Sequence, residues 1–129
     1  MTLAARQLAS AEARRAQLIN ILAALPELEI QKLGEHLGIR IRKKSLAYYQ
    51  FDHHGDGMIS LVCWSTASEQ RRLVRSDPET FFVPAYVGSS GWIGIRLDLD
   101  EVDWETVTDL IKRGYQAIAP RKLAARIDV

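Results

Sequence analysis

The sequence predicts an α+β fold: an antiparallel β-sheet covered by helices, in the order α-β-β-β-β-α-β-α. Three observations predict it. Apolar residues near the N-terminus recur at helical spacing. Between Leu28 and Trp64 the pattern changes to period two, broken by short polar turns. The last third holds one strand-patterned run and then a long helical stripe. Strands joined by short turns favour an antiparallel meander. A chain of 129 residues fits a single domain over residues 1–129.

The elements follow in order. Thr2 to Leu25 reads as a helix, because Leu18, Ile21, Leu22 and Leu25 make one apolar stripe and Pro26 stops the run. Leu28 and Ile30 alternate with polar neighbours in a first strand ending near Gly34. Leu37, Ile39 and Ile41 alternate with Gly38, Arg40 and Arg42, a half-buried strand with a basic outer face. Lys43-Lys44-Ser45 reads as a polar turn, and Leu46 to Phe51 as an aromatic-rich third strand. Asp52 to Gly57 is a turn by composition. Met58 to Trp64, nearly all apolar, reads as a central fourth strand.

Thr66 and Glu69 have capping-box spacing and open a helix that runs to about Ser76. Asp77-Pro78 predicts a short helical turn, and Pro84 forces an extended path. Gly88 to Gly91 is a turn. Ile93, Ile95 and Leu97 make one face of a strand, with Trp92, Gly94 and Arg96 on the other. Glycine inside a strand predicts a close approach, such as an aromatic ring from a neighbour at Gly94. Asp103 caps the last long helix, with Trp104, Val107, Ile111, Tyr115 and Ile118 as its stripe. Arg121 to Ile127 reads as a short terminal turn or helix.

Composition excludes several classes. The hydrophobic fraction of 47% and charged fraction of 26% are those of a globular protein. Net charge is +1, so nucleic-acid affinity has to come from a local patch. Cys63 is the single cysteine, which excludes an internal disulfide and favours a reducing compartment. With no signal pattern or membrane-length apolar run, the expectation is a cytoplasmic protein with no membrane contact, monomeric by default.

The stretch from Asp77 to Ala125 carries a resemblance. Its residues are Asp77-Pro78, Phe82, Pro84, Tyr86-Val87-Gly88, Gly91-Trp92-Ile93-Gly94, Arg96-Leu97, Asp103-Trp104, Tyr115 and Ala119-Pro120-Arg121-Lys122. Weaker likeness runs back to about Leu22, through Leu25-Pro26 and Lys44 with Leu46-Ala47. The sequence resembles the MmcQ/YjbR family, small bacterial proteins. That resemblance implies a CyaY-like, frataxin-like fold and a DNA-binding "double wing" arrangement, and it implies no enzymatic activity. Many members carry a lysine where Cys63 or Trp64 aligns, so a role tied to that lysine does not transfer to this chain.

Candidate sites follow from residue type. Arg40, Arg42, Lys43 and Lys44 form one basic cluster, Arg71, Arg72 and Arg75 a second, and Lys112, Arg113, Arg121, Lys122 and Arg126 a third. Strand hairpins with basic tips can reach a groove or a phosphate backbone. The competing reading is three solvated faces beside carboxylates, which a net charge of +1 favours. The other functional alternative is a protein- or small-molecule-binding domain with an aromatic cleft near Tyr86, Trp92 and Tyr115.

Metal, cofactor and catalytic chemistries lack their patterns. Asp52, His54 and Asp56 imitate the start of a calcium loop, but Cys63 stands where the bidentate glutamate belongs. His36, His53, His54 and Cys63 show no zinc spacing. The acidic run Asp98, Asp100, Glu101, Asp103 and Glu105 suits a helix start, and the basic first helix argues against an iron-binding ridge. No phosphate-binding glycine loop implies a cofactor. Ser89 and Ser90 lack the elbow of a hydrolase serine, and Cys63 in an apolar strand reads as a core thiol.

Overall fold

The computed structural model describes the backbone of residues 5–128 and the side chains of residues 11–128 except His54. Six strands form one antiparallel sheet in the order β1-β2-β3-β4-β6-β5. They are β1 (Glu29–Leu33), β2 (His36–Ile41), β3 (Lys44–Phe51), β4 (Ile59–Cys63), β5 (Phe81–Phe82) and β6 (Ile93–Arg96). The helices are α1 (Ala5–Ala23), α2 (Ala67–Ser76), α3 (Trp104–Ile118) and the single turn α4 (Arg121–Ala124). The predicted order holds, with one strand added. The expected helix start at Thr2 lies outside the described residues.

Period two decides which face each strand residue takes. Leu37 and Ile39 on β2, Ala47 and Tyr49 on β3, Leu61 and Cys63 on β4 and Ile93 and Ile95 on β6 all point inward. They pack with Leu18 and Leu22 of α1 and with Val107, Ile111 and Tyr115 of α3 in one core. Close approach of α3 is possible because Gly114 faces the sheet: a β-carbon there would sit 3.3 Å from Leu46 Cδ1 and 3.5 Å from Cys63 Sγ. Burying these side chains is the main source of stability, at about 1.5–3 kcal/mol for each large one.

Both helix caps form, but the capping box at Thr66 is one-sided, because the Glu69 carboxylate is taken by Arg72. Thr66 accepts from the Glu69 amide at 3.3 Å. Asp103 Oδ1 accepts from the Glu105 and Thr106 amides at 3.1 and 3.3 Å. Those bonds, with one from the Thr106 hydroxyl, hold the Asp103 carboxyl below its ordinary range.

Asp77-Pro78 opens the expected helical turn, in which the Thr80 and Phe81 amides both reach Asp77 O and the Thr80 amide also reaches Asp77 Oδ1 at 3.3 Å. The chain then pairs Phe81 with Ile95 and Phe82 with Gly94 as β5. A two-residue strand leaves no periodic signal, so nothing in the sequence marks it. The β2–β3 turn sits at Arg42-Lys43, one residue earlier than expected, and Lys44 already belongs to β3. The pairing register shifts between Ile39 and Arg40, which lets Leu46 and Ala47 both turn into the core.

Candidate nucleic-acid interface

The first basic cluster is built by the β2–β3 hairpin. Arg42 and Lys43 have φ of 49° and 68°. Two consecutive left-handed residues make the primed turn that matches strand twist, a position usually taken by Asn-Gly. Arg40 Nη2 donates to Lys43 O at 2.9 Å and braces the tip. Arg42 is engaged instead by Glu27, through Nε at 2.9 Å and Nη2 at 3.2 Å. That hydrogen-bonded carboxylate raises the Arg42 pKa further. Lys43 and Lys44 are exposed and have no carboxylate within ion-pair distance among the described residues.

The second cluster divides. On α2, Arg72 forms a two-point ion pair with Glu69, Nε to Oε2 at 2.9 Å and Nη2 to Oε1. This pairing lowers the Glu69 pKa and raises that of Arg72. Arg71 and Arg75 lie one helical turn apart and face solvent, with no ion-pair partner among the described residues. The third cluster divides too. On α3, Arg113 is held by Asp109 at 2.8 Å, while exposed Arg121 and Lys122 stand on α4 with no ion-pair partner among the described residues. Lys112 is half-buried and lines the grooves beside α1.

Electrostatic neighbours show which clusters adjoin. The Arg113 charge acts on Glu69, so the α2 and α3 clusters meet. Arg42 and Arg126 both act on the Tyr115 hydroxyl, so Arg126 adjoins the Arg42 end of the hairpin. Arg40 lies on the opposite sheet face from α3, by its alternation with buried Ile39 and Ile41. The basic residues therefore do not form one continuous face.

The aromatic residues Tyr86, Trp92 and Tyr115 are not brought together. Tyr115 is buried in the core and donates to Pro26 O at 2.6 Å. Trp92 lies on the other sheet face, where its ring stacks on Tyr48 with centroids 5.9 Å apart. Tyr86 is 82% exposed on the loop before β6. A cleft among the three is excluded because the sheet separates Tyr115 from Trp92. A groove of about 930 Å³ runs between α2 and α3 and includes Arg72, Lys112 and Trp104.

The outer sheet face was not legible as a site. One register row crosses it: Gly38, Tyr48, Val62, Gly94 and Phe82 are consecutive partners. Val62 is buried yet stands outside the helix-side core. Period two placed Tyr48 opposite Tyr49, but the sequence held no signal pairing Tyr48 with Trp92, 44 residues on in the numbering.

Other candidate chemistries find structural roles. Asp98 pairs with Arg96, Nη2 to Oδ2 at 2.8 Å, and Asp103 caps α3. His36 Nδ1 accepts from the Phe51 amide at 3.2 Å and its ring meets the edge of His53. Among the described residues no three His, Cys, Asp or Glu side chains gather as metal ligands would; the His54 side chain lies outside them. Cys63 is fully buried, and desolvation pushes its thiol up to about 12. It is no nucleophile at neutral pH.

Helices on one face of an antiparallel sheet, with the other face left to stacked aromatics, define a small two-layer α+β sandwich. The chain belongs to the YjbR family, whose sequence profile matches residues 23–117. In fold it is similar to the crystal structure of Deinococcus radiodurans protein DR2400, which contains a DUF419 domain. That likeness has a TM-score of 0.64 at 18% identity and covers 80% of this chain and 76% of that one. A search of curated proteins finds no significant match. Among the described residues no helix is long and apolar enough to cross a membrane.

Proposed function

We propose that this protein is a non-catalytic DNA-binding module that grips the phosphate backbone with the β2–β3 hairpin tip and the C-terminal basic residues. The observation that carries this reading is the state of the charges. Lys43 and Lys44 stand unpaired on a braced tip, whereas Arg72 and Arg113 are consumed by Glu69 and Asp109. A phosphate competes poorly for a guanidinium already held by a carboxylate, at two points for Arg72 and at one for Arg113. An unpaired ammonium on a fixed hairpin has no such competitor. Arg126, which acts with Arg42 on Tyr115, extends the same end toward Arg121 and Lys122.

The test is fluorescence anisotropy with a labelled duplex across a salt series. Binding that weakens steeply with salt is expected, because released counterions drive phosphate contacts. No binding at low salt would overturn the reading.

A second reading, a protein-binding domain, is favoured by Tyr86. Its φ of 65° and ψ of −67° close a three-residue turn, with the Val87 amide donating to Ala85 O at 2.7 Å. That geometry is rare and strained. It holds an aromatic ring in solvent beside exposed Val83. A protein partner whose affinity is unchanged by Tyr86→Ala would argue against it.

A further inference from the structure

The geometry points to the outer sheet face as a platform for unpaired nucleobases of a single-stranded nucleic acid. This rests on the nucleic-acid reading above and goes beyond its phosphate contacts. The Tyr48 and Trp92 rings stack on the outer face of the sheet, with planes 27° apart, and both are half-buried. Phe82 fills the space over Gly94 and carries the aromatic strip to the sheet edge. A half-buried aromatic surface of this kind suits base stacking, which tolerates any base because each has a π-face.

Two further features select a nucleic acid over a purely apolar partner. Gln50 is on the same face, one row from Tyr48, and its amide has no partner among the described residues, so it can pair with a base edge. Arg40 and Arg96 stand on the same face on either side of the strip. Arg96 is paired with Asp98 through Nε and Nη2, which leaves Nη1. Arg40 reaches toward the hairpin tip, and its Nε is buried without a hydrogen-bond partner. The strip is therefore continuous, through Arg40, with Lys43 and Lys44. A strand whose phosphates meet the tip can lay its bases on Tyr48 and Trp92.

The experiment compares a labelled oligothymidine with an abasic oligonucleotide of equal length, by anisotropy. The intact protein should bind oligothymidine about tenfold or more tightly than the abasic strand, from stacking of one or two bases. Trp92→Ala and Tyr48→Leu should abolish that difference and leave the salt-dependent part. Lys43→Glu with Lys44→Glu should do the reverse. If Trp92→Ala fails to fold, as a thermal melt would reveal, Tyr48→Leu and the abasic comparison on the intact protein decide alone. Equal affinity for thymidine and abasic strands overturns the platform even if duplex DNA binds. No binding to any nucleic acid overturns both readings together.

Discussion

The Phe82 ring lies directly on Gly94: a β-carbon added to Gly94 would come within 2.4 Å of Cζ and 2.5 Å of Cε2. No side chain fits there without displacing the ring, and with it the two-residue strand β5. Gly94→Ala should therefore destabilise the fold by about 1–3 kcal/mol, the usual range for overpacking. Chemical denaturation would measure it. Phe82→Ala in the same chain should recover part of the loss, because the two positions couple through direct contact. Additive losses would show that the ring is not the obstacle.

Gln70 fastens the loop that delivers Trp92. Its Nε2 donates to Gly88 O at 2.8 Å and to Trp92 O at 2.6 Å, and the side chain is buried. Gln70→Ala would leave the Trp92 carbonyl without this donor, while Gly88 O keeps the Gly91 amide at 3.0 Å, at a cost of about 1–3 kcal/mol. Amide hydrogen exchange from residue 87 to residue 92 should rise more than in β4. Uniform acceleration across the sheet would mean that Gln70 matters only to global stability.

These two contacts mark what the sequence could and could not convey. The close approach at Gly94 was legible because a glycine inside an alternating strand weakens the strand unless a neighbour needs the space. Its partner was not, since Phe81 and Phe82 form a strand too short to show a period. The caps at Thr66 and Asp103 were legible because capping is local chemistry. The state of the basic clusters was not. Arg42 and Glu27 are 15 residues apart and meet only when β1 pairs with β2. Which arginines are free for a ligand is a property of tertiary pairing, to which composition is blind.

Alkaline stability should report on two buried acids. Desolvation raises Cys63 from 9.0 to about 12. Burial likewise raises Tyr49 from 10.0 to about 12, the Arg15 charge opposing it. Both groups keep their protons longer when folded, so the unfolded chain releases them first. Their contribution is intact below pH 9 and is lost as pH rises from about 9 toward 12. The slope for Cys63 approaches about 1.4 kcal/mol per pH unit. Stability measured by urea between pH 8 and 11 would test this. Cys63→Ala should flatten the curve from pH 9, and Tyr49→Phe only above pH 10. The Tyr49 hydroxyl is buried without a partner, so Tyr49→Phe should also cost nothing at neutral pH. A folded thiol that reacts with a disulfide reagent at pH 8 as fast as an unfolded one would contradict the burial.

The hairpin tip sets stability against binding. Lys43 holds a left-handed backbone at φ 68°, which costs a side-chain-bearing residue about 1–2 kcal/mol relative to its ordinary conformations. Glycine removes most of that strain and adds back part of it as chain entropy. Lys43→Gly should therefore leave the fold equally stable or raise stability by about 1 kcal/mol, and the Arg40 bond to the carbonyl at position 43 can persist. The same substitution removes one unpaired cation. If the tip binds phosphate, DNA affinity should fall and the slope of log affinity against log salt should shrink by about one contact. Arg72→Ala, which removes a cation already held by Glu69, should leave the slope unchanged. A thermal melt and one salt series on each variant separate the outcomes. An unchanged slope in Lys43→Gly with a reduced one in Arg72→Ala would place the DNA contact on α2 and not on the tip.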